Sequence, residues 1–231
     1  MINLKEINKK DPLKRNVDNG LDNMKGCTPF DPPSAFDDEK KELIPAAELP
    51  EIIKQLMDEH EVATKQLNDF EKALVDFKTN AYIMHKEINT AFLAFFKYYD
   101  NQLMLHNEKE DKVLFPLLEQ KLLVNGEHSI AENPTTAIDV MEDDHVRIIQ
   151  LGTLTFNLFG VATRLKDNES RMFVCETGYN TGRELIELLR LHIYREDYTL
   201  FPLAFKLISK EEFETMIPKT KKYKFVDLQQ K

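Results

Sequence analysis

From Leu49 onward, apolar residues recur at Ile53, Leu56, Ala63, Leu67, Phe70, Leu74 and Phe77. Steps of four and three place such residues along one face of a helix. One slot in the stripe is not apolar, and it holds His60. A second stripe runs Phe92, Phe96, Tyr99 and Leu103, passes through His106 and Glu110, and resumes at Val113 and Leu117. A third joins Ile138, Met141, His145, Ile148 and Phe159, and a fourth joins Leu185, Leu189, His192, Glu196, Thr199 and Leu203. Each predicted helix therefore carries a histidine in its buried seam. Residues 51 to 115 contain neither proline nor glycine. As one helix they would span roughly 98 Å, at about 1.5 Å per residue, too long for a compact domain. The chain must fold back within them, best at Thr79-Asn80. Asn125-Gly126 with Glu132 to Thr135, and Lys166 to Ser170, supply two further turns. The pattern predicts helices near 48–78, 82–123, 136–165 and 171–208, an all-α, up-down-up-down four-helix bundle over residues 46–210.

The flanks differ in texture. Pro12, Pro29, Pro32, Pro33 and Pro45 crowd residues 1–45, read as an arm of low regular structure that packs on the bundle or hangs loose. Residues 211–231, with Lys219, Lys221, Lys222 and Lys224, read as a basic, solvated C-terminal tail. Composition then removes whole classes of function. No run of eighteen apolar residues is present, and the lysine-bearing N-terminus has no apolar stretch behind it. A cytoplasmic protein without a membrane partner is expected. Cys27 and Cys175 stand far apart, outside any paired spacing, which argues against disulfide scaffolds and cysteine-ligated zinc or iron-sulfur sites. A net charge of −9 argues against a nucleic-acid partner. No glycine-rich phosphate loop, dinucleotide fingerprint or nucleophile triad is apparent.

The chemistry lies in an internal repeat. His106, Glu110, Asp111 and Leu114-Phe115-Pro116-Leu117 match His192, Glu196, Asp197 and Leu200-Phe201-Pro202-Leu203, a shared HxxxEDxxLFPL. Each copy follows a lone histidine in an acidic setting: His60, after Asp58 and Glu59, and His145, after Glu142, Asp143 and Asp144. Residues that meet at one level of an antiparallel helical hairpin are equidistant from its turn. The midpoint of His106 and His145 falls on Asn125-Gly126, and that of His145 and His192 on Asn168-Glu169. The midpoint of His60 and His106 is Ile83, about one helical turn beyond the expected bend. The four histidines are thus expected in one layer.

In HxxxE the imidazole and the carboxylate project from one helix face, a turn apart. The layer then holds four imidazoles and two carboxylates. Two unpaired carboxylates among leucines and phenylalanines would cost several kcal/mol each, and cations are the natural compensation. Nitrogen with carboxylate donors suits iron, manganese or zinc better than calcium or magnesium. Two ions with two histidines each is the simplest arrangement. Glu142, on the same helix face as His145, is a candidate extra ligand. His85 and His128 match no motif position and are read as surface residues. Tyr99 and Tyr194 are read as core aromatics near the layer.

With these residues in place, the chain resembles the hemerythrin-like, HHE cation-binding domain proteins. The resemblance covers about residues 48 to 208 and rests on His60, His106 with Glu110, His145, His192 with Glu196, and the two LFP segments. It implies a left-handed four-helix bundle with a non-heme di-iron centre bridged by an oxo or hydroxo group. His60 and His106 would bind one iron, His145 and His192 the other, with Glu110 and Glu196 bridging. Oxygen-carrying members add a histidine one turn after the third-helix ligand, where this chain has Ile149. They also take a carboxylate five residues after the fourth-helix histidine, where it has Asp197. Helix periodicity and the first repeat favour Glu196. Iron-sulfur-repair members carry paired cysteines before the bundle, against the single Cys27 here. The expectation is a protein that binds iron and a small ligand, oxygen or nitric oxide, for sensing, storage or protection. The alternatives are an enzyme reducing peroxide or nitric oxide and a metal-free helical adaptor.

Overall fold

A computed structural model describes residues 48–223, and within them every regular element is helical. The arm expected over 1–45, with Cys27, lies outside the described residues. Helix α1 is Glu51–Thr79. Helix α2 runs without a break over 86–125, but two of its turns, Tyr99–Leu103 and Glu110–Leu114, are π-helical. Helix α3 is Ala137–Ala162. Helix α4 runs over 168–207 with a π turn at Glu196–Leu200, and α5 is Lys210–Thr220.

Capping chemistry accounts for the boundaries that sequence pattern misplaces. Ala81 and Tyr82 both take left-handed backbone angles, so 80–85 are spent on the first turn and α2 starts at Lys86 rather than 82. Ile83, the midpoint of His60 and His106, lies inside that turn. The second connection leaves α2 through Gly126 at φ 79°, the left-handed position that glycine occupies without steric cost. The Thr136 hydroxyl accepts from the backbone of Ile138, and Asp139 reaches back to the Thr136 N–H to start α3. The Asp167 carboxylate accepts from the Ser170 N–H, so α4 begins at Asn168 instead of 171.

Helices α1 and α2, α1 and α4, and α3 and α4 pack along one another. Two apolar clusters result. One gathers Phe70, Phe77, Phe92, Phe95, Tyr99, Ile148, Phe159 and Leu185. The other gathers Ile53, Leu56, Leu114, Phe115, Met141, Phe201, Phe213 and Met216. Phe213 and Met216 belong to α5, which corrects the expectation of a solvated tail from 211. A serine cap with Glu212 starts that helix, and its apolar face buries against α1.

One close approach is sensitive to a single atom. A Cβ added at Gly152 would lie 2.4 Å from the ring of Tyr99, whose hydroxyl donates to the Ile148 carbonyl at 3.0 Å. The ring is buried and held, so it cannot step aside freely. Gly152→Ala is expected to destabilise the fold by about 1–3 kcal/mol, read as a lower denaturation midpoint with an unchanged m value.

Candidate metal centre

Between the two apolar clusters lies the polar layer. All six predicted residues are buried in it, and Glu110 and Glu196 are 0% exposed. Ligand atoms of His60, His106, Glu110 and Glu196 lie within 4.8 Å of one another, and those of Glu110, His145, His192 and Glu196 do likewise. Both glutamates belong to both groups. The Nε2 atoms of His60 and His106 are 3.1 Å apart, and so are those of His145 and His192. Glu196 reaches His60 at 3.1 Å with one oxygen and His192 at 3.3 Å with the other. Glu110 reaches His106 at 3.4 Å and His145 at 3.5 Å in the same way.

The π turns explain how successive residues serve this layer from both sides. A π turn takes in one residue more than an α turn and shifts the phase of everything after it. His106 and Glu110 share a face at the α spacing of four. Five residues beyond Glu110, Phe115 stacks on His145, ring centroids 5.7 Å apart, and five beyond Glu196, Phe201 stacks on His60 at 5.6 Å. Pro116 and Pro202 follow in the first turn of the resumed α-helix, where a missing N–H is tolerated.

Around the six residues runs a ring of acids that motif reading missed as functional. The Nδ1 atoms of His60, His106 and His145 bond to Asp197 at 2.8 Å, Glu59 at 2.7 Å and Asp111 at 2.8 Å. His192 Nδ1 faces Asp144 at 3.4 Å. The pairing is crosswise. Asp111 and Asp197 each hold the seam histidine of the opposite half, while Glu59 and Asp144, each preceding a seam histidine, hold the HxxxE histidine of their own half. A carboxylate on Nδ1 keeps the proton there and turns the Nε2 lone pair inward. The repeated Asp after each HxxxE, and the acid before each seam histidine, were the available signals. Asp111→Asn and Asp197→Asn are each expected to weaken metal affinity about 10- to 100-fold, measured by competition with a chromogenic chelator.

Electrostatics follows from the same contacts. Burial opposes a charge on His60, but the Asp197 and Glu196 contacts outweigh it and push its pKa up to about 10. For His145, also opposed by burial, Asp111 and Glu110 do the same, again to about 10. Burial would raise Glu196, yet His192 and His60 hold it down to about 2. Burial likewise acts against Glu59 and Asp144, and their histidine partners hold both below the ordinary carboxylate range. Neighbouring imidazoles thus favour the carboxylate forms of Glu196, Glu59 and Asp144, and a cation entering the layer would compete with protons for the same lone pairs.

Not every candidate joins the centre. Glu142 is exposed and outside both groups, facing Asp111, Glu119 and Asp139, so the expected extra ligand is not placed there. His85 and His128 are exposed. Tyr99 is buried, and Tyr194 stacks on Tyr198 with centroids 4.7 Å apart. Asp197, the oxygen-carrier alternative to Glu196, supports His60 from outside.

The two buried His/Glu groups could hold metal cations. None of the four carboxylate oxygens of Glu110 and Glu196 has a hydrogen-bond partner within the described residues, although buried polar atoms are nearly always satisfied. Two cations would complete them. Among known proteins, no curated entry and no solved structure matches the chain. The family model described as the hemerythrin HHE cation-binding domain matches residues 51–204. The match spans α1 through most of α4 and takes in all six residues of the layer. The chain thus belongs to the hemerythrin HHE cation-binding domain family.

Proposed function

We propose that the chain is a cytoplasmic, non-heme di-iron protein on an up-down-up-down arrangement of α1 to α4, binding oxygen or nitric oxide for sensing, storage or protection. His60 and His106 hold one ion, His145 and His192 the other, and Glu110 and Glu196 bridge them. The observation that carries this reading is the set of four buried carboxylate oxygens without a hydrogen bond, each within 3.1–3.5 Å of one imidazole Nε2 atom. Each group offers one donor atom from each of four residues. Iron accepts up to about six donors, so the protein leaves room for an exogenous ligand at each ion. Bound iron supplies Lewis-acid and redox chemistry there. The protein's residues hold the donors in place, exclude bulk water and, through the outer acids, keep the Nδ1 protons.

Elemental analysis of protein purified without chelator, joined to its absorption spectrum, tests the reading. Two equivalents of iron and near-ultraviolet charge-transfer bands are expected. Far less than two equivalents, with no loading by ferrous iron, would leave the metal-free adaptor as the surviving alternative. The same open positions suit a second reading, reduction of peroxide or nitric oxide with an external donor. A spectrum that changes reversibly with the ligand supports binding, and sustained consumption of peroxide or nitric oxide supports turnover. Manganese and zinc suit the same donors, and the elemental ratio identifies the occupant.

A further inference from the structure

The two halves repeat one another in the centre but differ in the walls around it. Between α1 and α2, beneath the end of α5, lies a cavity of about 340 Å³ lined by Glu59, Tyr98, Gln102, His106, Lys109 and Tyr223 among others. His106, a member of the central layer, is part of its wall. The matching side of the second half has a larger groove, about 630 Å³, along Asp144, Arg195, Arg147 and Gln150. None of the six central residues lines that groove.

The residues at the two openings differ accordingly. Glu59 keeps 42% of its side chain exposed, against 13% for its counterpart Asp144. Behind Glu59 the ammonium of Lys109, almost fully buried, pairs with it. In the second half Arg195 pairs with Asp144 at 3.0 Å. Next to His106, Asn107 is buried with neither amide atom hydrogen-bonded, where the second half has Ile193. The first half is thus the side on which a cavity reaches the layer.

We propose that divalent cations reach the centre through the cavity beside His106. Glu59 is the first carboxylate they meet, and the Lys109 ammonium keeps this wall shut. The proposal rests on the metal-binding reading above. A hydrated cation gives up water stepwise, and a half-exposed carboxylate at the mouth supplies the first replacement oxygen. The same Glu59 carboxylate accepts from His106 Nδ1 and from Lys109. While Lys109 holds it, the imidazole is fixed as a wall and a positive charge stands in the cation's path. Release of Lys109 removes both barriers at once.

The test uses the full chain, loaded with ferrous iron, and reads the rates of loading and of removal by a bipyridine chelator. Lys109→Met is expected to speed both about tenfold while retaining two equivalents. Gln102→Trp, an exposed position whose indole narrows the cavity, is expected to slow both about tenfold. The chain has no tryptophan of its own, so quenching of that indole also times the arrival of iron. Gln150→Trp, which fills the opposite groove, is expected to keep the parental rates. The port is overturned if Gln102→Trp leaves the rates unmoved, or if Gln150→Trp slows them as much. A parent chain that binds no transition metal overturns the functional reading itself. Two bound ions with rates indifferent to Gln102→Trp overturn the port alone.

Discussion

Protein carrying Glu196→Ala is expected to leave purification with less than one equivalent of transition metal, against the two expected of the parent. Glu110→Ala is expected to behave alike. Each carboxylate belongs to both donor groups, one oxygen toward each side. In the proposed centre its removal would take one donor from each ion and the bridge from the pair, a larger loss than that of any outer acid. The informative comparison is Asp197→Ala. That residue is one position further along α4 and bonds to His60 Nδ1 at 2.8 Å, so its loss should weaken binding without emptying the centre. His85→Ala and His128→Ala, both at exposed positions, should retain two equivalents. Elemental analysis of the five variants, with far-ultraviolet circular dichroism to verify helix content, checks the order. Metal loss by Asp197→Ala equal to that by Glu196→Ala would overturn the bridging assignment.

Stripping the metal should lower the denaturation temperature by about 15–30 °C. A ligand present at about a thousand times its dissociation constant stabilises the native state by about 4 kcal/mol per site. Two sites supply about 8 kcal/mol, and in a domain of this size each kcal/mol moves the midpoint by about 2–4 °C. The physical origin is local. Glu110 and Glu196 are wholly buried and their oxygens lack hydrogen-bond donors, so a bound cation satisfies charges that otherwise rest on neighbouring imidazoles alone. The effect should vanish in the Glu110→Ala, Glu196→Ala double variant. A parent midpoint that moves by only a few degrees between loaded and stripped protein would mean that the layer is stabilised without metal.

Much of this arrangement is legible in the sequence alone. The stripe broken by His60, the duplicated HxxxE and the histidine midpoints near Asn125-Gly126 and Asn168-Glu169 all report short-range helical geometry. Spacing of three and four along a helix settles which side chains share a face, and antiparallel folding settles which positions share a level. The first turn is less legible, because Ala81 and Tyr82 hold left-handed angles that neither residue type announces. Helix α5 is not legible in the pattern, because its lysines read as a solvated end while the burial of Phe213 and Met216 depends on a groove made by other helices.

The sequence by itself determined the helical class, the two halves and the six residues of the layer, since each follows from periodicity within one chain segment. The tertiary structure decided the rest. It put Asp197 against His60 from outside the layer, assigned each outer acid to one histidine, and paired Phe115 with His145 and Phe201 with His60. It also opened a cavity beside His106. The reason is one of phase and distance. A π turn rotates all that follows by about one residue, roughly 100°, and contacts such as His60 with Asp197, separated by 137 positions, exist only once four helices have packed.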